Sequence, residues 1–160
     1  KFEKKLLGTA STLITNRKFF KESTTILIHA DNMTNFQISS LIDFHNEKEL
    51  DNCLLTMLTF NTNYPRSCGV VITDKNKILR EFYEKVKNPP GNVANGAIYV
   101  FGDKFLESLI KEVPLAKDFS RDVIPNYLGR VRTFHTEKLI IDIGTPESLA
   151  FARSKFKNNN

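Results

Sequence analysis

Short apolar runs rich in β-branched residues alternate with segments whose apolar residues recur every three to four positions. No other property of the chain restricts its fold as much. "TTILIHA" (24–30), "CLLTMLTF" (53–60), "AIYVF" (97–101), "GRVRTFHT" (129–136) and "KLIIDI" (138–143) read as strands. Between them, "NFQISSLIDFHNEK" (35–48), with Ile38, Leu41, Ile42 and His45 at helical spacing, and "GDKFLESLIKEV" (102–113) read as helices. Such alternation predicts βαβ units, hence an α/β fold with a mixed, mainly parallel sheet flanked by helices. "TTILIHA" is apolar without a break, which predicts a strand covered on both faces.

The remaining segments are read from their turn and cap chemistry. "LGTASTLITNRKFF" (7–20) reads as one helix capped at Gly8-Thr9, and "DFSRDVIPNYL" (118–128) as a short helix broken or kinked by Pro125. "CGVVITDKNKILREFYEK" (68–85) interrupts the rhythm as a hairpin around a polar turn. "VKNPPGNVANG" (86–96) reads as a loop, because two prolines lack donors and Gly91 and the asparagines suit turns. An Asn- and Gly-rich loop just before a strand is a candidate binding element. The last helix is marked by Thr145 as N-cap, Pro146 and Glu147 in its first turn, and Arg153 and Lys155 near its end.

With 160 residues, 41% hydrophobic and 26% charged, the chain is expected to form one domain over residues 1–157 with a frayed tail at 158–160. No apolar run approaches the ~20 residues that cross a bilayer, so no membrane span is expected. The chain lacks an initial Met and a signal region, so its start is expected to be processed or incomplete. Cys53 and Cys68 are too few for a disulfide scaffold and are expected to be reduced, in a cytoplasmic setting. The formal charge of +5 is scattered apart from loose clusters at "KFEKK" and "RSKFK". That pattern reads as solvated faces, with no nucleic-acid stripe, although some cations could serve a phosphate-bearing small ligand.

Asp31 and Asp142 each follow an apolar strand and precede a turn. In open α/β sheets ligands bind outside the carboxyl ends of strands. Two converging carboxylates without thiols would suit Mg²⁺, which takes one or two carboxylates, waters and substrate phosphates. The alternative is that Asp31 caps a turn and Asp142 opens the "DIGTP" loop, each alone. His29 shares a strand face with Asp31 and is a ligand, a base or a buried hydrogen-bonding residue. His45 lies on an apolar helix face and His135 near a strand end, neither with a partner that can be read from the sequence.

Six stretches in order, "LLGTA" (6–10), "HADN" (29–32), "CGVV" (68–71), "EFYEK" (81–85), "GNVANGAIYVF" (91–101) and "IDIGTPE" (141–147), resemble the sugar nucleotidyltransferases. Within that family they look most like guanylyltransferases acting on mannose 1-phosphate or heptose 1-phosphate. The resemblance implies a Rossmann-like, GT-A-like sheet lacking its first βα portion. It also implies a reaction in which a sugar 1-phosphate oxygen attacks the α-phosphorus of a nucleoside triphosphate, with GTP favoured, forming a nucleotide sugar and pyrophosphate. It implies Asp31 and Asp142 as catalytic Mg²⁺ ligands and Lys85 as a catalytic, phosphate-contacting cation. Glu84, Gly69 and Asn95 are implied as sugar-binding residues, and Gly8 and Thr9 as backbone beside the nucleotide base. On an extended strand Glu84 and Lys85 face opposite ways, so both reach one ligand only if the chain bends there. Ala30, Val86, Gly96-Ala97 and Ile140 depart from the common family pattern and mark a subgroup.

Nothing in the chain resembles the family's opening strand and Gly-rich triphosphate loop. These residues are therefore expected to be the later part of a longer enzyme, inactive alone for want of that loop. Two other readings stay open: a metal- and nucleotide-sugar-dependent glycosyltransferase, and a non-catalytic subunit that binds a nucleotide sugar. Homo-oligomerisation is left open as well.

Overall fold

The computed structural model describes residues 5–47 and 52–156. Helices α1 (Thr9–Thr15) and α2 (Arg17–Phe20) precede strands β1 (Thr25–Ile28) and β2 (Asn32–Thr34) and helix α3 (Ile38–Asn46). Strands β3 (Leu55–Asn61), β4 (Gly69–Thr73), β5 (Leu79–Glu84) and β6 (Val93–Phe101) follow, then helix α4 (Asp103–Glu112). Strands β7 (Val131–Thr136) and β8 (Ile140–Asp142) and helix α5 (Pro146–Phe156) complete the order. A π-helical turn (Phe119–Val123) running into a 3-10 turn (Ile124–Tyr127) connects α4 to β7.

Strand β6 organises the sheet. One edge pairs with β3, while the other is shared between β4, at Ala94, and β1, at Ile98 to Phe101. The six strands run β5-β4-β6-β3-β7 with β1 on β6, and β2 and β8 form a separate two-stranded ladder. This is the mixed α/β sheet with flanking helices that the alternation predicts. Its balance differs from the expectation: β3 and β7 are parallel, whereas β6 runs against β1, β3 and β4, and β4 against β5. The hairpin and the reversed β6 create those antiparallel pairs, and both depend on contacts remote in sequence.

Successive β6 side chains alternate between faces. Tyr99 and Phe101 enter a core with Met57, Phe105, Phe119 and Tyr127, where ring centroids lie 4.6 Å apart for Tyr99 and Phe119 and 4.8 Å for Phe101 and Phe105. Ile98 and Val100 pack on the other face with Leu41 of α3, Leu58 and Ile140. Arg132 is buried beside this second layer with its guanidinium 3.6 Å from the Phe44 ring, donating to the Phe44 carbonyl at 3.1 Å and pairing with Glu47. Those partners offset the desolvation of its charge.

Several local expectations are corrected. The first helix breaks at Asn16, whose side-chain amide donates to the Thr12 carbonyl at 2.9 Å and competes with the helical ladder. Thr9 does not cap α1; Gly8 occupies the cap position at φ +92°, and the Thr9 hydroxyl accepts the Phe119 N–H at 2.9 Å. Strand β1 is not covered on both faces, since Ile26 and Ile28 are 37% and 42% exposed. The segment 86–96 is loop only in its first half, because β6 begins at Val93. Other expectations stand: Pro125 lies in the 3-10 turn that ends the helical segment, and the Thr145 hydroxyl accepts the Ser148 N–H at 3.1 Å, capping α5. Cys53 and Cys68 carry no disulfide. Among the described residues no helix is long and apolar enough to cross a membrane. The tail at 158–160 lies outside the described residues.

Candidate active site

Asp31 lies in the turn between β1 and β2, and Asp142 ends β8. The β2–β8 ladder sets Asn32 opposite Asp142, and the Ile143 N–H donates to the Asp31 carbonyl at 2.8 Å. Both side chains face the space above Gly144, where a β-carbon would sit 2.9 Å from Asp142 Oδ1 and 4.0 Å from Asp31 Oδ2. Asp142 Oδ1 accepts the Gly144 N–H at 2.7 Å, and both residues are exposed. Among the described residues no cluster of three or more His, Cys, Asp or Glu could hold a metal. A two-carboxylate oxygen pair still fits Mg²⁺, which keeps waters and substrate phosphates in its remaining positions. The absence of a side chain on Gly144 leaves the gap such an ion would need.

A bulge in β6 holds this pair beside a second group of polar residues. The β3–β6 register passes from Met57 opposite Tyr99 to Thr59 opposite Asn95, so β6 carries extra residues, and Ala97 lies at φ +50°. Asn95 is held from both ends: its Oδ1 accepts the Ala97 N–H at 2.9 Å and its Nδ2 donates to the Tyr99 hydroxyl at 2.6 Å. Residues on either side of Asp31 anchor to the bulge, Asn32 Nδ2 donating to the Gly96 carbonyl at 2.8 Å and the His29 N–H to the Ala97 carbonyl at 3.3 Å. A β-carbon on Gly96 would lie 3.0 Å from Ile140 Cδ1 and 3.1 Å from the Leu58 carbonyl oxygen, so a larger residue there would push its neighbours back by a few tenths of an ångström.

Glu84 pairs with Gly69 across the β4–β5 hairpin. A β-carbon on Gly69 would lie 2.7 Å from Glu84 Oε2 and 2.5 Å from Phe82 Cζ, so this carboxylate occupies space that any other residue would fill. Lys85 adopts φ +51° and donates its N–H to the Cys68 carbonyl at 3.1 Å. The bend that two neighbouring side chains need to reach one ligand is therefore present. Half-burial pushes the Glu84 carboxyl above its ordinary range, against the opposing charge of Lys85. Asp118 adds to the rise, while Arg121 and His29 counter it. Burial also pushes the Tyr99 hydroxyl up to about 12, with Asn95 and Ser120 as hydrogen-bond partners.

Tyr99 and Ser120 thus adjoin Asn95, and Asp118 and Arg121 act electrostatically on Glu84, although the sequence reading selected none of the four. The charges of "KDFSRD" were the available signal, but such a run usually marks a solvated face. His45 pairs through Nδ1 with the Thr56 hydroxyl at 2.7 Å, and His135 with Glu137 at 3.1 Å, both away from this cluster. Gly8 and Thr9 line a separate cleft of about 610 Å³ together with Thr12, Leu27, Lys117 and Asp118. Asp118, through its influence on Glu84, links the two regions.

The raised Glu84 pKa has a consequence for stability. The folded protein holds this proton more tightly than the unfolded chain, so the stabilisation is full below the ordinary value of 4.5 and is lost as pH rises through the folded value. Glu84→Gln is therefore expected to gain in Tm over the wild type as pH rises from about 4 to 7. Thermal melts across that range check it, and parallel Tm profiles for the two proteins would contradict the buried carboxylate.

The geometry defines a class: an α/β protein with two carboxylates at neighbouring turns, a bulged strand that carries polar side chains, and a separate, largely apolar cleft. Residues 1–159 match the family described as Nucleotidyl transferase, and the chain belongs to that family. It is 27% identical over 163 residues to a glucose-1-phosphate adenylyltransferase of Clostridium acetobutylicum, covering 96% of this chain and 43% of that protein. A second glucose-1-phosphate adenylyltransferase, from a Thermotoga species, is 30% identical over 152 residues, with 88% of this chain and 36% of the relative covered. The chain thus spans less than half the length of these curated relatives. Among solved structures, a putative glucose-1-phosphate thymidylyltransferase of Bacillus anthracis in complex with a sucrose superposes with a TM-score of 0.78 at 25% identity, covering all of this chain and 65% of that one. HddC of Yersinia pseudotuberculosis, complexed with GMP-PN, shares the fold with a TM-score of 0.75 at 23% identity over 96% of this chain and 64% of that one.

Proposed function

We propose that the protein carrying this chain transfers a nucleotidyl group from a nucleoside triphosphate to a sugar 1-phosphate. The observation that carries this reading is the convergence of Asp31 and Asp142 on one point beside the β6 bulge, within a nucleotidyl transferase chain. Asp31 and Asp142 would hold Mg²⁺, which when bound offsets the charge of two approaching anions. Glu84 accepts hydrogen bonds from sugar hydroxyls, with Asn95 presenting the amide capacity that Tyr99 and Ala97 leave unused. The space over Gly69 is filled by the Glu84 carboxylate and the Phe82 ring, so Gly69 serves the sugar by seating Glu84 and does not itself lie against it, and Lys85 contacts phosphate. The cleft beside Gly8 and Thr9 receives the base. The sugar 1-phosphate oxygen bonds to the α-phosphorus as the bond to pyrophosphate breaks, and catalysis is by positioning and electrostatics without a covalent enzyme intermediate.

Sugar and base are assigned from two sources that differ. The motif resemblance favours GTP with mannose 1-phosphate or heptose 1-phosphate, whereas the curated relatives are named glucose-1-phosphate adenylyltransferases and the Bacillus anthracis structure a putative glucose-1-phosphate thymidylyltransferase. We favour the guanylyl assignment on the six motifs. The test is pyrophosphate release by the full-length protein with each of ATP, GTP, UTP and dTTP against glucose, mannose and heptose 1-phosphates. Release that needs both substrates and Mg²⁺ is expected; no release with any pair, or the transfer of a sugar from an added nucleotide sugar to an acceptor with free nucleoside diphosphate as the leaving group, refutes the proposal.

A second measurement probes the carboxylate pair. Gly144→Ala puts a methyl group where both carboxylates face, and is expected to raise the Mg²⁺ concentration for half-maximal turnover roughly tenfold, since small misplacements are costly at a reacting centre. Because Gly144 is exposed, Tm should change little. An unaltered Mg²⁺ titration would place the ion elsewhere.

A further inference from the structure

The turn that carries Asp31 leaves the main sheet once β1 has paired Ile28 with Ile98. Its own backbone closes it, the Asn32 N–H donating to the His29 carbonyl at 3.1 Å, which leaves the Asn32 side chain to reach outward. It reaches the β6 bulge, where Asn32 Nδ2 donates to the Gly96 carbonyl at 2.8 Å. The N–H at the other end of that same peptide unit belongs to Ala97, and Asn95 Oδ1 accepts it at 2.9 Å. A peptide unit is planar and stiff, with its C=O and N–H on opposite sides. One rigid plate is thus gripped on one side by the residue next to Asp31 and on the other by Asn95. A backbone carbonyl only accepts and a backbone N–H only donates, so the orientation of both side-chain amides is fixed. Asp142 belongs to the Asp31 side of the grip, because the Ile143 N–H donates to the Asp31 carbonyl at 2.8 Å and Asn32 pairs with Asp142 in the β2–β8 ladder.

We propose that Asn32 is a positioning residue: through the Gly96–Ala97 peptide it sets the spacing between the carboxylate pair and the Asn95 amide, and with it the placement of the metal relative to the sugar. This rests on the nucleotidyl-transfer reading above, in which Asp31 and Asp142 hold Mg²⁺ and Asn95 meets the sugar. Asn32 needs no contact with either substrate for this, since its Nδ2 acts on a backbone carbonyl. Without its amide each half of the site keeps its own groups, Asp142 Oδ1 still accepting the Gly144 N–H and Asn95 Nδ2 still donating to the Tyr99 hydroxyl. Each substrate therefore binds about as before, while the two are no longer aligned for attack.

The test uses the full-length protein with whichever of the four nucleoside triphosphates and three sugar 1-phosphates named above releases pyrophosphate fastest. Asn32→Leu keeps the size of the side chain and removes the donor. It is expected to lower kcat on the order of tenfold to a hundredfold, the scale of a misplacement of about 1 Å, while the calorimetric Kd of each substrate measured singly stays within about threefold of wild type. In an Asp142→Asn background the same substitution should cost less than about threefold, because the spacing to a broken carboxylate pair no longer matters. Losses that multiply across the two backgrounds, as a merely structural role gives, overturn the proposal. A kcat equal to that of wild type, or a loss carried entirely by a weaker Kd, overturns it as well. Asn32→Ala answers the same questions if the Leu variant does not fold. If wild type releases pyrophosphate with no pair, the functional reading falls and this proposal with it, whereas an active wild type with multiplying losses sinks the proposal alone.

Discussion

Replacing Asp142 by Asn is expected to lower the turnover of the full-length protein by on the order of 10²–10³-fold while leaving the fold intact, the loss corresponding to several kcal/mol of transition-state stabilisation. The amide oxygen of Asn can still accept the Gly144 N–H that Asp142 Oδ1 now accepts at 2.7 Å, so the turn keeps its hydrogen bond. What disappears is a negative charge facing the same gap as Asp31. Since Asp142 is exposed, its folded environment places little demand on that charge, and circular dichroism should be unchanged. Mg²⁺-dependent turnover equal to wild type would remove this residue from the mechanism.

The second large effect concerns stability. Gly8 has φ +92° and ψ 158°, a region that side chains other than hydrogen essentially never occupy. A β-carbon there would stand 2.6 Å from the Lys117 carbonyl oxygen, which already accepts the Ala10 N–H at 2.9 Å. Both obstacles are backbone, so relief requires moving α1 away from the loop that carries Asp118 and Phe119. Gly8→Ala is expected to destabilise by about 3 kcal/mol, combining backbone strain and overpacking. For a domain of this size that is a fall of roughly 6–12 °C in Tm. A melt within 2 °C or so of wild type would show that this contact yields easily. The loop also carries Asp118 beside Glu84, so affinity for the sugar 1-phosphate should fall with it.

How far the site could be read beforehand depends on the range of the forces involved. Glu84, Gly69 and Asn95 sit in short stretches whose order along the chain is distinctive, and the structure brings Glu84 against Gly69 through the hairpin that a polar turn between apolar runs announces. Asp31 and Asp142 were visible as acids after strands, but their convergence needs the β2–β8 ladder, whose partners are more than a hundred residues apart in the chain. Asp118 and Arg121 could not be chosen, because their proximity to Glu84 arises only once the π-helical turn packs Phe119 against Tyr99. The burial of His29 Nε2 without a hydrogen-bond partner among the described residues is likewise a property of the packed state.

Local patterns in the chain carried most of the element types, the hairpin and the cap of α5, because periodicity, turn residues and capping oxygens act over a few neighbouring positions, while the family was carried by the resemblance of six short stretches. Tertiary structure alone decided that β6 runs against three neighbours, that β1 keeps two isoleucines exposed, and that a bulge at Ala97 aims the polar residues into one place. Those features are choices among strand pairings of similar local quality, and they are settled by burial and hydrogen bonding between segments far apart in the chain.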